Sequence, residues 1–85
     1  MPTYDETLQI TTQILTSHVE LDRPIRPNDH IQNDLGLDSL GVMEFVSDVE
    51  SYFGVSIPSD MFESIATIED VARAVAKLEQ QPMHA

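Results

Sequence analysis

No cysteine occurs among the 85 residues, so neither disulfides nor thiolate metal ligands are available. That absence fits a reducing, intracellular compartment. Glycine is scarce, at three positions, and with five prolines and 41% hydrophobic residues the balance is that of a globular chain, not a disordered one. Basic side chains are scarce too: four Lys and Arg face fifteen Asp and Glu, for a formal charge of −11. Such a chain repels phosphate backbones and anionic lipid, which argues against nucleic acid and membrane surfaces as partners. No apolar run approaches a membrane span, and the acidic opening Met1 to Glu6 lacks the apolar stretch of a secretory signal. The expectation is a cytoplasmic, monomeric single domain over residues 1–85 without membrane insertion. At this length folding buries only roughly 60 to 65% of the unfolded chain's surface, enough for one modest core but not for a deep active-site cleft.

What is present is helical patterning. Thr3 and Glu6 have capping-box spacing, and Tyr4, Leu8, Thr11 and Leu15 follow at helical intervals, flanked by Ile10 and Ile14, until the pattern fades near His18 to Glu20. From Leu21 to Asp38 no period is sustained, and Pro24 and Pro27 oppose helix there. A loop this long in a compact chain tends to be functional, and Ile25, Ile31, Leu35 and Leu37 are placed to pin it to the core. Asp38 is an N-cap for a second helix carrying Val42, Met43, Phe45, Val46, Val49, Tyr52 and Phe53 on one broad face and ending at Gly54. Val55 to Pro58 read as an extended connector, and Ser59 with Asp60 as the cap of a short helix through Met61, Phe62 and Glu63. Thr67 and Asp70 form a second capping box, ahead of the stripe Ile68, Val71, Ala72, Val75 and Leu78. Arg73 and Lys77 fall toward that helix's C-terminal half, where its dipole favours cations. The tail from about Gln80 to Ala85 reads as frayed. The predicted fold is all-α, a small four-helix bundle of three main helices and one short one, with a long loop between the first two.

Ser39 stands where that loop becomes the second helix, in the run Asp34, Leu35, Gly36, Leu37, Asp38, Ser39, Leu40. Free backbone N–H groups and the positive dipole end favour an anion there. A serine hydroxyl needs an adjacent base to act as a nucleophile, and His18, His30 and His84 are all distant in sequence. The segment does not fit the nucleophile-elbow pattern of hydrolases. Asp29, Asp34 and Asp38 fail the spacing of a calcium loop and read as solvated carboxylates, while the histidines read as surface or packing residues without metal-ligand spacing. No metal site is expected. Leu40 is an apolar residue on the polar side of its helix, either packed on the loop or exposed for docking.

This run, followed by an amphipathic helix ending at Phe53 and Gly54 and by the later stretch Thr67, Ile68, Glu69, Asp70, Val71, resembles the modification site of an acyl carrier protein. The resemblance covers nearly the whole chain. It implies a four-helix bundle in which Ser39 is esterified by 4′-phosphopantetheine from coenzyme A, the arm's thiol then carrying acyl groups as thioesters between enzymes. The chain is then not an enzyme but a substrate of phosphopantetheinyl transferase and of acyl-loading, condensing and acyl-transfer enzymes with basic docking patches. Asp38 places a carboxylate beside the phosphate, so its value lies in capping and in being read by the basic transferase. The expected partner face is Asp38, Leu40, Glu44, Asp48, Glu50 and Glu63. On charge alone, the alternative is that −11 merely keeps the protein soluble.

The family often shelters its acyl chain among the helices. Candidate lining residues are Val42, Met43, Val46, Ile57, Met61, Phe62, Ile65 and Ala66, although apolar residues at this spacing are also plain core and many cargoes stay outside. Carriers of primary fatty-acid metabolism tend to have Ala before the Asp and Ser, and a hydrophobic then an acidic residue on the partner face. Here Leu37, Ser47 and Ser51 take those places, and Gly41 puts a poor helix former in the first turn. These departures predict a dedicated, type II carrier of a fatty-acid, polyketide or other specialised pathway. Two alternatives stay open: an aminoacyl or aryl carrier, which Gly36, Leu37 and Asp38 argue against, and a non-carrier acidic helical interaction module.

Overall fold

A computed structural model describes residues 3–80. Its helices are α1 (Tyr4–Thr16), α2 (Ser39–Phe53), α3 (Ser59–Glu63) and α4 (Ile68–Gln80), with α1 packed on α4 and on α2. The all-α reading with one short helix and a long first connection holds. Of the expected frayed tail, Gln80 still belongs to α4 and residues 81–85 lie outside the described residues.

Each long helix starts where its capping chemistry dictates. Thr3 Oγ1 accepts from the Glu6 N–H at 3.2 Å while Glu6 Oε1 accepts from the Thr3 N–H at 2.9 Å, pairing two otherwise orphaned donors. The same reciprocal pair opens α4: Asp70 Oδ2 accepts from the N–H groups of Ala66 and Thr67, and Thr67 Oγ1 accepts from the Asp70 N–H. Burial alone would raise the Asp70 pKa, but these N–H donors, the Thr67 hydroxyl and Arg73 together hold it below the usual value. Gly54 ends α2 at φ 68°, a left-handed conformation that a side chain would strain. The short α3 differs from expectation: Pro58 occupies its N-cap, no side chain caps it, and Ser59 is already its first helical residue. Proline suits this place because its fixed φ of −64° leads into the helix.

The core is drawn from the three long helices, the first loop and the connector after α2, with α3 packed against it. Leu15, Ile31, Leu35, Leu37, Val42, Phe45, Val46, Val49, Ile57, Ile68, Val71 and Val75 form one buried cluster, with Phe45 fully enclosed. On α1 the buried line is Thr7, Thr11 and Leu15, spaced by four, so Tyr4 is displaced outward and is 38% exposed. Small threonines on this line permit close helix approach. Thr11 Oγ1 donates back to the Thr7 carbonyl at 2.7 Å. On α2, Met43 and Tyr52 share the helical period of the core residues but are exposed, so the apolar face is narrower than its sequence pattern.

The loop between α1 and α2 is held by directed bonds as well as by its apolar residues. Arg23 clamps Asp29 through two hydrogen bonds of 2.9 and 3.1 Å, and the Arg26 N–H donates to the same carboxylate at 2.7 Å. Further along, His30 pairs with Thr67 in an isolated antiparallel bridge, the Ile31 N–H donates to the Ala66 carbonyl at 2.9 Å, and the Glu69 N–H donates to Pro27 at 3.1 Å. The loop is thereby stitched to the start of α4. Asp34 accepts from the His30 N–H and Asp38 from the Gly41 N–H. The three loop aspartates are therefore structural acceptors, and Asp29 is buried, contrary to their reading as solvated carboxylates.

The Arg23 hydrogen bond, then the Arg26 N–H, holds the Asp29 carboxyl below its usual value. A depressed folded-state pKa contributes stability above the unfolded value of about 3.9, lost as pH falls through the lower folded value. Asp29→Asn is thus expected to lower stability at neutral pH, with the deficit shrinking below about pH 4. Urea midpoints across pH would check this, and a pH-independent deficit would refute the charge-based account.

Candidate functional site

Ser39 is the first residue of α2 and is exposed. Asp38 precedes it in extended conformation, and its Oδ1 accepts from the Gly41 N–H at 2.7 Å. That cap leaves the Ser39 and Leu40 N–H groups without a protein partner among the described residues, so positive partial charge remains at the hydroxyl's base. Gly41 matters sterically here. A Cβ at this position would lie 3.2 Å from Asp38 Oδ1 and 3.4 Å from Leu37 Cγ. The approach to Asp38 is tight, whereas that to Leu37, buried at 8% exposure, is ordinary van der Waals contact.

Leu40 is 63% exposed, so it does not pack on the loop. Glu44 and Asp48 follow it at intervals of four, both exposed, and α2 contains no Lys or Arg. Asp48 accepts a 2.7 Å hydrogen bond from His18 Nε2, and the His18 ring packs edge-on against Phe45. This contact ties the end of α1 to α2 and makes His18 a packing residue with one polar duty. Glu50 departs from expectation. Its Oε2 accepts from the Ile57 N–H at 2.6 Å and the residue is half-buried, so the carboxylate anchors the connector and is less accessible to a partner than the exposed Asp38 and Asp48. Glu63 and Asp38 are exposed near the serine's end of the molecule, Glu63 sharing a groove with Ser39.

That groove has a volume of about 280 Å³ and is lined by His30, Ile31, Gln32, Ser39, Val42, Met43, Phe62, Glu63, Ile65 and Ala66. A second concavity of about 270 Å³ adjoins it, sharing Met43, Phe62 and Glu63 and adding Ile57 and Ser59. Of the eight expected lining residues, Val42, Met43, Phe62, Ile65 and Ala66 meet at the serine's groove and Ile57 at its extension. Val46 lies in the closed core, and Met61 lines a separate concavity with Asp70, Arg73 and Lys77. A five-residue helix cannot turn all its apolar side chains to one side, which is why Met61 and Phe62 part.

His30 was placed far from Ser39 by sequence distance, yet both line the same groove. The bridge to Thr67 brings it there, and no local pattern signals that pairing. His30 Nδ1 accepts from the Asn33 N–H at 3.1 Å, which puts the neutral ring's proton on Nε2. In this tautomer the ring offers Ser39 no proton acceptor. Among the described residues no cluster of His, Asp and Glu is arranged to hold a metal ion. No helix there is long and apolar enough to cross a membrane.

Gly→Ala in a helix ordinarily gains about 0.5 to 1 kcal/mol. Gly41→Ala is expected to fall short of that gain, because its Cβ would press on the Asp38 carboxylate at 3.2 Å and the cap must give way slightly. A chemical-denaturation measurement giving the full ordinary gain would show that this packing is loose.

Comparison with known proteins agrees with this geometry. The family model described as the phosphopantetheine attachment site matches residues 12–75. An acyl carrier protein from Prochlorococcus marinus (strain MIT 9515) is 32% identical over 72 residues, covering 84% of this chain and 90% of that one. The acyl carrier protein of Enterococcus faecalis superposes with a TM-score of 0.74 at 29% identity, over 91% of this chain and 99% of that one. MacpD, an acyl carrier protein from Pseudomonas fluorescens involved in mupirocin biosynthesis, gives 0.64 at 27% identity, over 96% and 72%. A Toxoplasma-specific mitochondrial acyl carrier protein shares the fold at a TM-score of 0.81 and 19% identity, over 93% of each chain.

Proposed function

The chain belongs to the phosphopantetheine-attachment family, whose covalent cofactor is 4′-phosphopantetheine, and from that membership we propose that Ser39 is the attachment residue of an acyl carrier. The observation that carries this reading is the exposed hydroxyl at the first position of α2, beside an apolar-floored groove and without a base of its own. When attached, the arm supplies a thiol that holds acyl groups as thioesters. The residues present suit such a group: unpaired N–H groups at the helix start favour its phosphate, and the groove begins at the serine itself.

Recognition falls to Asp38, Leu40, Glu44, Asp48 and Glu63, an acidic surface around one exposed leucine that complements basic patches on phosphopantetheinyl transferase and on acyl-loading, condensing and acyl-transfer enzymes. Glu50 is left out because its carboxylate is tied to the connector. A short acyl chain shelters against Val42, Met43, Phe62, Ile65 and Ala66, each buried CH₂ contributing about 0.8 kcal/mol. Leu37 with Gly41, and Ser47 and Ser51 on the partner face, support a dedicated carrier of a specialised pathway, acting as a cytoplasmic monomer.

Incubation with a promiscuous phosphopantetheinyl transferase and coenzyme A is expected to add one phosphopantetheinyl group to the intact mass, and Ser39→Ala to abolish it. No gain, or a gain that survives the substitution, defeats the proposal and leaves a non-carrier interaction module. Glu44→Lys is expected to lower transferase kcat/KM several-fold at low ionic strength, the difference narrowing as salt is added. Unchanged kinetics at low salt would remove the acidic face from recognition.

A further inference from the structure

The groove beside Ser39 is not uniformly apolar. Val42, Met43, Phe62, Ile65 and Ala66 supply its hydrocarbon surface, but His30 stands among them. This histidine is held unusually firmly for a loop residue. Its N–H donates to Asp34 at 2.8 Å, its carbonyl accepts from the Asp34 and Leu35 N–H groups, and its backbone is bridged to Thr67. Its Nδ1 is engaged by the Asn33 N–H, so the ring's remaining polar atom, Nε2–H, is a donor with no protein partner among the described residues. A saturated chain laid over that donor would strip its water and return nothing, whereas a chain with an oxygen at the matching position restores the bond. Sites that hydrogen-bond a ligand oxygen discriminate against the analogue lacking it far more than apolar pockets discriminate by length.

We propose that His30 sets the class of cargo this protein shelters: Nε2–H donates to an oxygen borne by a short acyl chain in the groove, so that oxygen-bearing acyl groups are favoured over saturated chains of equal length. The proposal rests on the carrier reading of Ser39. The groove's size is consistent with it, since about 280 Å³ at ~30 Å³ per water-sized group holds a short chain. His30 acts here as a specificity residue without a part in bond making or breaking.

The test loads the apo protein, through phosphopantetheinyl transferase, with coenzyme A, hexanoyl-coenzyme A or 3-hydroxyhexanoyl-coenzyme A, and verifies each product by intact mass. Long-range ¹H–¹⁵N correlations of the His30 ring and the amide shifts of Ile31, Ile65 and Ala66 are then compared. The 3-hydroxyhexanoyl form is expected to shift Nε2 and these amides well beyond the hexanoyl form, with the unacylated holo form close to apo. His30→Phe should abolish the difference while loading at Ser39 persists, and His30→Gln, which keeps a donor, should restore part of it. Equal shifts for the two acyl forms, shifts already complete in the holo form, or a preference that survives His30→Phe would overturn the proposal. Absence of any mass gain would instead overturn the carrier reading itself.

Discussion

The stitching of the long loop to the start of α4 is the constraint on which the rest of the site depends. Ile31 N–H to Ala66, Glu69 N–H to Pro27 and the bridge between His30 and Thr67 fix the loop against the last helix. With these in place Ile31, Leu35 and Leu37 drop into the core, and the chain arrives at Asp38 in the extended conformation that an N-cap requires. The groove beside Ser39 is a consequence of the same stitching. One wall comes from the loop at His30 to Gln32, another from α2, and the third from α3 and the residues after it. A floppy connection of this length would leave the serine on a helix end with nothing beside it.

Charge is distributed in two ways that serve different ends. Arg23 and Arg73 are committed to carboxylates of their own neighbourhoods, the first to Asp29 and the second to Glu69 and Asp70 in the opening turn of α4. The α2 helix has no Lys or Arg to neutralise Glu44, and Asp48 has only the imidazole of His18. Internal pairing therefore leaves the negative field concentrated on the face that flanks Ser39, where long-range steering of a basic partner is most effective. The exposed Leu40 and Met43 supply apolar contact area within that field. Acidity in this protein is thus partly architectural and partly directed outward, with Asp38 and Asp48 serving both ends.

The helix start carrying Ser39 also reflects a steric allowance for its cap. Leu37 is buried immediately ahead of the cap, and Gly41 leaves the Asp38 carboxylate room to reach the Gly41 N–H. A helix-poor residue in the first turn is thereby explained by packing within the fold, with no need for a partner to approach closely.

Sequence alone determined the features governed by neighbours in the chain: both capping boxes, the Asp38 cap, the glycine end of α2, the helical stripes, the position of Ser39 and the family that the surrounding run resembles. These are fixed by side chains reaching three or four residues along a helix, so local spacing suffices to read them. Tertiary structure alone decided which of several equivalent residues face inward or are already engaged. It turned Met43 and Tyr52 outward, sent Met61 away from Phe62, withdrew Glu50 to anchor Ile57 and buried Asp29 against Arg23. It also carried His30 to the groove of Ser39 through a pairing with Thr67, thirty-seven positions away. Periodicity records that a residue can be buried, but the choice among candidates is made by segments distant in the chain, whose contacts leave no mark on the local pattern.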